Sequence, residues 1–171
     1  MEGSRPVVAE VQALVTPTRY PLPRRMATGL DLNRTLVLVA ALEKHLKLRL
    51  ETRDVFVSLA GGLKPRDPAL DLAVCMAIVS SAREAPLPAD CVFVGEVGLL
   101  GQVGRVPFLP ARLKEAARLG FKRAVVPARA LKDAGARSAA SIALEGAESV
   151  AVCAARVAGA ARRAEPVDVP A

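Results

Sequence analysis

The stretch Ala60 to Asp71, AGGLKPRDPALD, constrains this chain more than any other. It follows an alternating apolar run, Asp54-Val-Phe-Val-Ser-Leu59, and opens a long apolar segment from Leu70 to Val79. Alternation predicts a strand and the longer apolar segment predicts a buried helix, so the two must meet across a sharp turn. Gly61 and Gly62 permit that turn, and Pro68 suits the first turn of the helix behind it. A strand-to-helix junction of this kind is a favourable place for a nucleophile, because a helix N-terminus stabilises negative charge. The positions available hold Pro68, Ala69 and Leu70. None of them is a nucleophile.

At 171 residues the chain suits one domain with a real core. Hydrophobic residues make up 52%, chiefly Ala, Val and Leu; there is no Trp and one Tyr. The apolar runs are too short and too interrupted by charge to span a bilayer, which predicts no membrane segment. The N-terminus carries Glu2 and no continuous apolar stretch, so it does not read as a signal peptide. Cys75, Cys91 and Cys153 are far apart and lie in apolar runs, a pattern of reduced structural thiols and not of a disulfide framework or a zinc site. The net charge of +7 attracts polyanions, nucleic acid first, although an arginine-rich proteome would give the same excess.

The order of patterns is α/β. Residues 7 to 15 predict an initial strand. Thr16 to Thr28, with three prolines and three arginines, predicts an extended loop without regular structure. Asp31 or Asn33 caps a helix running to about Lys47, with Leu36, Val39, Ala40 and Leu46 at helical spacing. Val55 to Leu59 is a strand and Pro68 to Ala82 a buried helix. Cys91 to Gly104 reads as a hairpin around a glycine turn, and Leu109 to Leu119 as an amphipathic helix ended by Gly120. Arg123 to Pro127 and Ile142 to Glu145 are strands, and Glu148 to Ala160 is the last helix. The expected division is an N-terminal extension over 1–6, one domain over 7–160 and a frayed tail over 161–171.

Few constellations could carry chemistry. His45 is the single histidine, which excludes a histidine-based metal site and reads as a surface or groove residue. Asp67 and Asp71, four apart, either cap the buried helix or form a catalytic pair. Gly61-Gly62 followed by Lys64 lacks the spacing of a phosphate loop, so no nucleotide site is expected.

Five blocks, EVQALV (10–15), PRRMATGLDLNR (23–34), DVFVSLAGGLKPRDPALDLAV (54–74), GEVGLLGQVGRV (95–106) and RLKEAARLGFKRAVVP (112–127), occur in an order that resembles the C-terminal domain of the bacterial RadA (Sms) DNA-repair family. That domain is in turn similar to the proteolytic domain of Lon. The resemblance covers about residues 7 to 160. It implies a ribosomal protein S5 domain 2-like, Lon proteolytic-domain-like fold with a mixed sheet and packed helices. It implies one domain of a longer protein whose zinc finger and RecA-like ATPase lie elsewhere, so ATP, magnesium and zinc are expected only there and no cofactor is expected in this chain. Aligned with the Lon motif P-K-D-G-P-S-A-G, Ala69 stands where the serine would be, and Pro110 where the lysine base would be. A methyl group cannot attack a carbonyl and a peptide-bound proline nitrogen cannot take a proton, so no protease is expected. Ser58, Ser80 and Ser81 fall inside a strand or a helix by pattern.

Arg24, Arg25, Arg34, Arg112, Lys114, Arg118 and Lys122 are then the candidate DNA-binding residues, with phosphate contacts giving affinity without sequence specificity. The scarcity of aromatic residues argues against a base-stacking platform. The alternative for each arginine is a solvated face or a contact between subunits. The resemblance implies a hexameric assembly acting on single-stranded or branched DNA beside the RecA recombinase, in the cytoplasm and near the nucleoid. A pure oligomerisation scaffold is the second reading and an active Lon-like serine peptidase the third.

Overall fold

A computed structural model describes residues 5–62, 67–133 and 141–161. The expected tail lies almost wholly outside the described residues. The α/β class is borne out: one sheet mixes parallel and antiparallel pairing, a second is all parallel, and a two-stranded hairpin is antiparallel.

In the first sheet β3 (Arg53–Leu59) is central, because Val55, Val57 and Leu59 alternate inward. β1 (Val11–Pro17) pairs with it antiparallel, Val15 opposite Val55, and β2 (Arg25–Thr28) pairs on the other side in parallel. The parallel pairing is made possible by α1 (Leu32–Leu46), which crosses over between β2 and β3. β2 occupies the end of the segment expected to be an irregular loop. The prolines at 17, 21 and 23 stop just short of it, and an edge strand of four residues needs few ladder hydrogen bonds.

Asp31 caps α1, accepting from the Arg34 N–H at 2.7 Å. The buried face is Thr35, Leu38, Val39, Ala41 and Leu42, one step round from the face expected: Leu36 and Ala40 point to solvent. α2 (Asp71–Arg83) follows a short 3-10 turn, Pro68–Leu70, and is buried through most of its length, from Leu72 to Val79 save Ala73. It packs against β1, α1 and the last helix, so the main core forms around Leu38, Leu42, Leu72, Met76, Ile78 and Val150.

The second sheet is all parallel, in the order β4 (Cys91–Phe93), β7 (Arg123–Pro127), β8 (Ala143–Ala147). The expected hairpin is therefore shorter than 91–104. β4 joins β7, and only β5 (Glu96–Val97) and β6 (Val103–Gly104) pair with each other. α3 (Leu109–Arg118) packs Leu109 and Leu113 on Ala124 and Val126 of β7. α4 (Val150–Ala161) closes the main core with Val150, Cys153 and Ala154.

Candidate functional site

The strand-to-helix junction is built as its residues require. β3 ends in a short turn, Ala60–Gly62, in which Gly61 and Gly62 have φ of 88° and 72°, a region where a Cβ is strained. Beyond residues 63–66, Asp67 caps the 3-10 turn by accepting from the Ala69 N–H at 3.1 Å. Ala69 is 3% exposed, and its methyl group sits with Ala73 and Ala77 in the lining of a cleft of about 660 Å³. Arg112 and Glu115 of α3 line the same cleft. Pro110 lies in the exposed first turn of α3 and offers no titratable group.

The two aspartates do not form a pair. Asp67 is bridged by Arg112 at 2.7 Å, and both side chains are 13% exposed. Burial alone would push the Asp67 carboxyl up; the hydrogen bonds from Arg112 and the Ala69 N–H, with the Arg112 charge, outweigh it and hold it below the usual carboxylate range. Asp71 is buried and belongs to a different network. Arg34 reaches it from α1 through both Nε and Nη2, and the Val97 N–H of β5 donates to it at 3.1 Å. Arg34 also donates to the Val97 carbonyl at 2.8 Å. Asp67 is thus a cap and Asp71 a tie between two helices and a hairpin.

Most of the expected DNA-binding arginines also hold the fold together. Arg24 binds buried Asp54 through Nε at 3.0 Å and Nη2 at 2.8 Å, while its N–H donates to the other carboxylate oxygen at 2.7 Å. Those backbone and side-chain contacts keep Asp54 below the usual carboxylate range against the effect of burial. Arg25 donates to the carbonyls of Arg53 and Leu50 at 2.5 and 2.7 Å. Arg118 pairs with Glu115 one turn back on α3. Lys114 and Lys122 are exposed and make no ion pair among the described residues. The candidates do not form one cluster by chain: Arg24 and Arg25 lie on the first sheet, and Arg112, Lys114, Arg118 and Lys122 lie on and after α3, beside the second.

Sequence reasoning missed Asp54 and Asp90 as arginine partners. Asp90 receives Arg123 at 2.5 Å across 33 positions of chain, a separation at which no local spacing rule operates. His45 is neither free nor a ligand: its Nε2 donates to the Leu99 carbonyl at 2.9 Å and pins the β5–β6 turn to α1. Ser80 donates to the Ala85 carbonyl and Ser81 accepts from the Val15 N–H, so both hydroxyls serve the backbone. Among the described residues no group of three His, Cys, Asp or Glu side chains could hold a metal ion, and no helix is long and apolar enough to cross a membrane.

A family model described as "Subunit ChlI of Mg-chelatase" matches residues 34–130, more than half of the chain, from Arg34 through the junction, the hairpin and α3 to β7. The chain belongs to the ChlI family. Its curated relatives carry another name. It is 54% identical over 129 residues to a DNA repair protein RadA of Bacillus subtilis, covering 75% of this chain and 28% of that protein. RadA of Aquifex aeolicus is 52% identical over 126 residues, 74% of this chain and 28% of the relative. RadA of Synechocystis is 51% identical over 126 residues, 74% of this chain and 25% of the relative. The expected resemblance to RadA is therefore borne out. The chain spans about a quarter of the length of these curated relatives.

Proposed function

We propose that this chain is a non-catalytic domain of a RadA-type DNA-repair protein. On this reading it contacts the phosphate backbone of DNA and takes part in a hexameric ring that processes branched recombination intermediates beside RecA. The observation that carries the non-catalytic part is Ala69. Its buried methyl occupies the head of the junction, between two carboxylates that are each already neutralised by an arginine. Neither Ala69 nor Pro110 can supply a nucleophile or a base.

The DNA part is supported by the charge of +7 together with Lys114 and Lys122, whose ammonium groups are exposed and available to phosphates. ATP, magnesium and zinc belong on this reading to segments outside the chain, and the protein works in the cytoplasm near the nucleoid. The test is a salt titration of affinity for branched and single-stranded DNA. Affinity should fall linearly on logarithmic axes, and Lys114→Glu with Lys122→Glu should weaken binding while reducing the slope by roughly one per lost phosphate contact. Charge reversal at Arg24 would not be informative, because it would also strip Asp54 of its partner.

Absence of binding at low salt would leave the scaffold reading. A specific feature favours that second reading: Leu99 and Leu100, 72% and 80% exposed, project from a turn tied down by His45. Sedimentation of the chain tests it, and a strict monomer counts against any scaffold role. Cleavage of casein by the purified chain would overturn the non-catalytic reading and restore the peptidase.

A further inference from the structure

We infer that the outer face of the β1–β3–β2 sheet is a stacking platform for the bases of single-stranded nucleic acid, with Tyr20 as the residue a base lies on. The inference rests on the DNA reading above and assigns it a site. The chain has one tyrosine, four phenylalanines and no tryptophan, yet the fold gathers two of these rings on one face. The Arg24 guanidinium lies 4.3 Å from the centroid of Tyr20 and 5.4 Å from that of Phe56. Asp54 holds the guanidinium in place over both through Nε and Nη2. The result is a fixed cluster of two rings and a guanidinium whose most exposed member, Tyr20, is 55% exposed. Such a cluster presents a flat ring to solvent, and a planar base stacks on it at little ordering cost, because the ring is already held.

The surroundings suit the same occupant. The register places Leu14, Phe56 and Met26 in one cross-strand row, and Leu14 and Met26 are 57% and 54% exposed. Apolar surface of this kind fits the face of a base beside the stack. Arg19 is exposed next to Tyr20 and makes no ion pair among the described residues, so its charge remains for a phosphate. The one buried carboxylate near the stack, Asp54, is already neutralised. A face with an uncompensated cation beside an aromatic stack complements a strand of phosphates and unstacked bases. A duplex keeps its bases stacked on one another and offers none to the ring.

Tyr20 makes the test direct, since with no tryptophan and a single tyrosine the chain's tyrosine emission reports this site alone. The 171-residue chain is titrated with oligothymidylate and with an abasic oligonucleotide of the same length and charge. The base-bearing strand should quench the emission and bind about 5- to 100-fold more tightly than the abasic one. Tyr20→Leu should abolish that preference and leave the salt slope unchanged, because phosphate contacts are untouched. Equal affinity for both strands, with salt dependence intact, would overturn the platform and leave the DNA reading standing. Absence of binding to either at low salt would remove both. Emission that changes with protein concentration alone, together with self-association lost in Tyr20→Leu, would give the face to a second copy and also overturn the platform.

Discussion

Arg34, in the first turn of α1, and Asp71, at the start of α2, meet across 37 positions of chain, and the carboxylate that Arg34 neutralises also accepts the Val97 N–H. One buried charge therefore ties two helices to the β5–β6 hairpin. Removing Arg34 leaves the buried Asp71 carboxylate without a cation, whereas Arg34 is 37% exposed and keeps Glu96 at 3.9 Å. Arg34→Leu should therefore cost about 3–5 kcal/mol in chemical denaturation, since it strands a buried charge. The double variant Arg34→Leu with Asp71→Leu should be less damaging than the sum of the single changes. Additive losses would mean that the two residues are not coupled.

The Arg112–Asp67 pair makes a prediction in pH. Asp67 is held below the usual carboxylate range, so its contribution is present above the unfolded pKa and is lost as pH falls through the folded one. Arg112→Met should lower the melting temperature at pH 7. The gap from the parent chain should narrow as pH falls through and below the usual carboxylate range, because protonated Asp67 no longer needs the cation. Parallel melting curves from pH 7 to pH 3 would count against the pair.

Gly61 and Gly101 separate backbone strain from steric clash. Both have positive φ, 88° and 74°, but a Cβ at Gly61 meets nothing within 4 Å, whereas at Gly101 it would lie 2.9 Å from His45 Cδ2. Gly61→Ala should cost about 1–2 kcal/mol from the left-handed conformation alone. Gly101→Ala should cost more, and adding His45→Ala to it should recover part of the difference. Thermal melts of the three single variants and the Gly101→Ala, His45→Ala double variant decide this.

The thiols should be sluggish. Burial pushes Cys91 up to about 11 and Cys153 up to about 12, and it pushes Cys75 further still. At pH 8 little thiolate forms at any of them, so a disulfide reagent should modify the folded chain slowly, with partly exposed Cys91 first. All three should react quickly once the chain is denatured. Fast labelling of buried Cys75 in the folded state would contradict the packing of α2.

Much of the junction is legible in the chain because its logic is local. A Gly-Gly step after an alternating strand, Pro68 at a helix start and Asp31 before an apolar helix each act within three or four residues. The face of α1 was harder to read. Leu36 and Ala40 satisfy helical spacing as well as Leu38 and Leu42 do, and only the position of α2 decides which set is covered. β2 was hidden for a related reason, since four residues after a proline-rich stretch carry too little pattern and are ordered by pairing with β3.

The chain by itself determined the α/β order, the turn at residues 61–62 and the absence of a nucleophile at Ala69, because residue type and near neighbours suffice for these. Only the tertiary structure decided what the charges do. Arg24, Arg34, Arg112 and Arg123 find their carboxylates 30 to 45 positions away, and the same folding that consumes them sets Arg24 over the rings of Tyr20 and Phe56. The physical reason is that an ion pair or a ring stack depends on distance in space, which separation along the chain does not reveal.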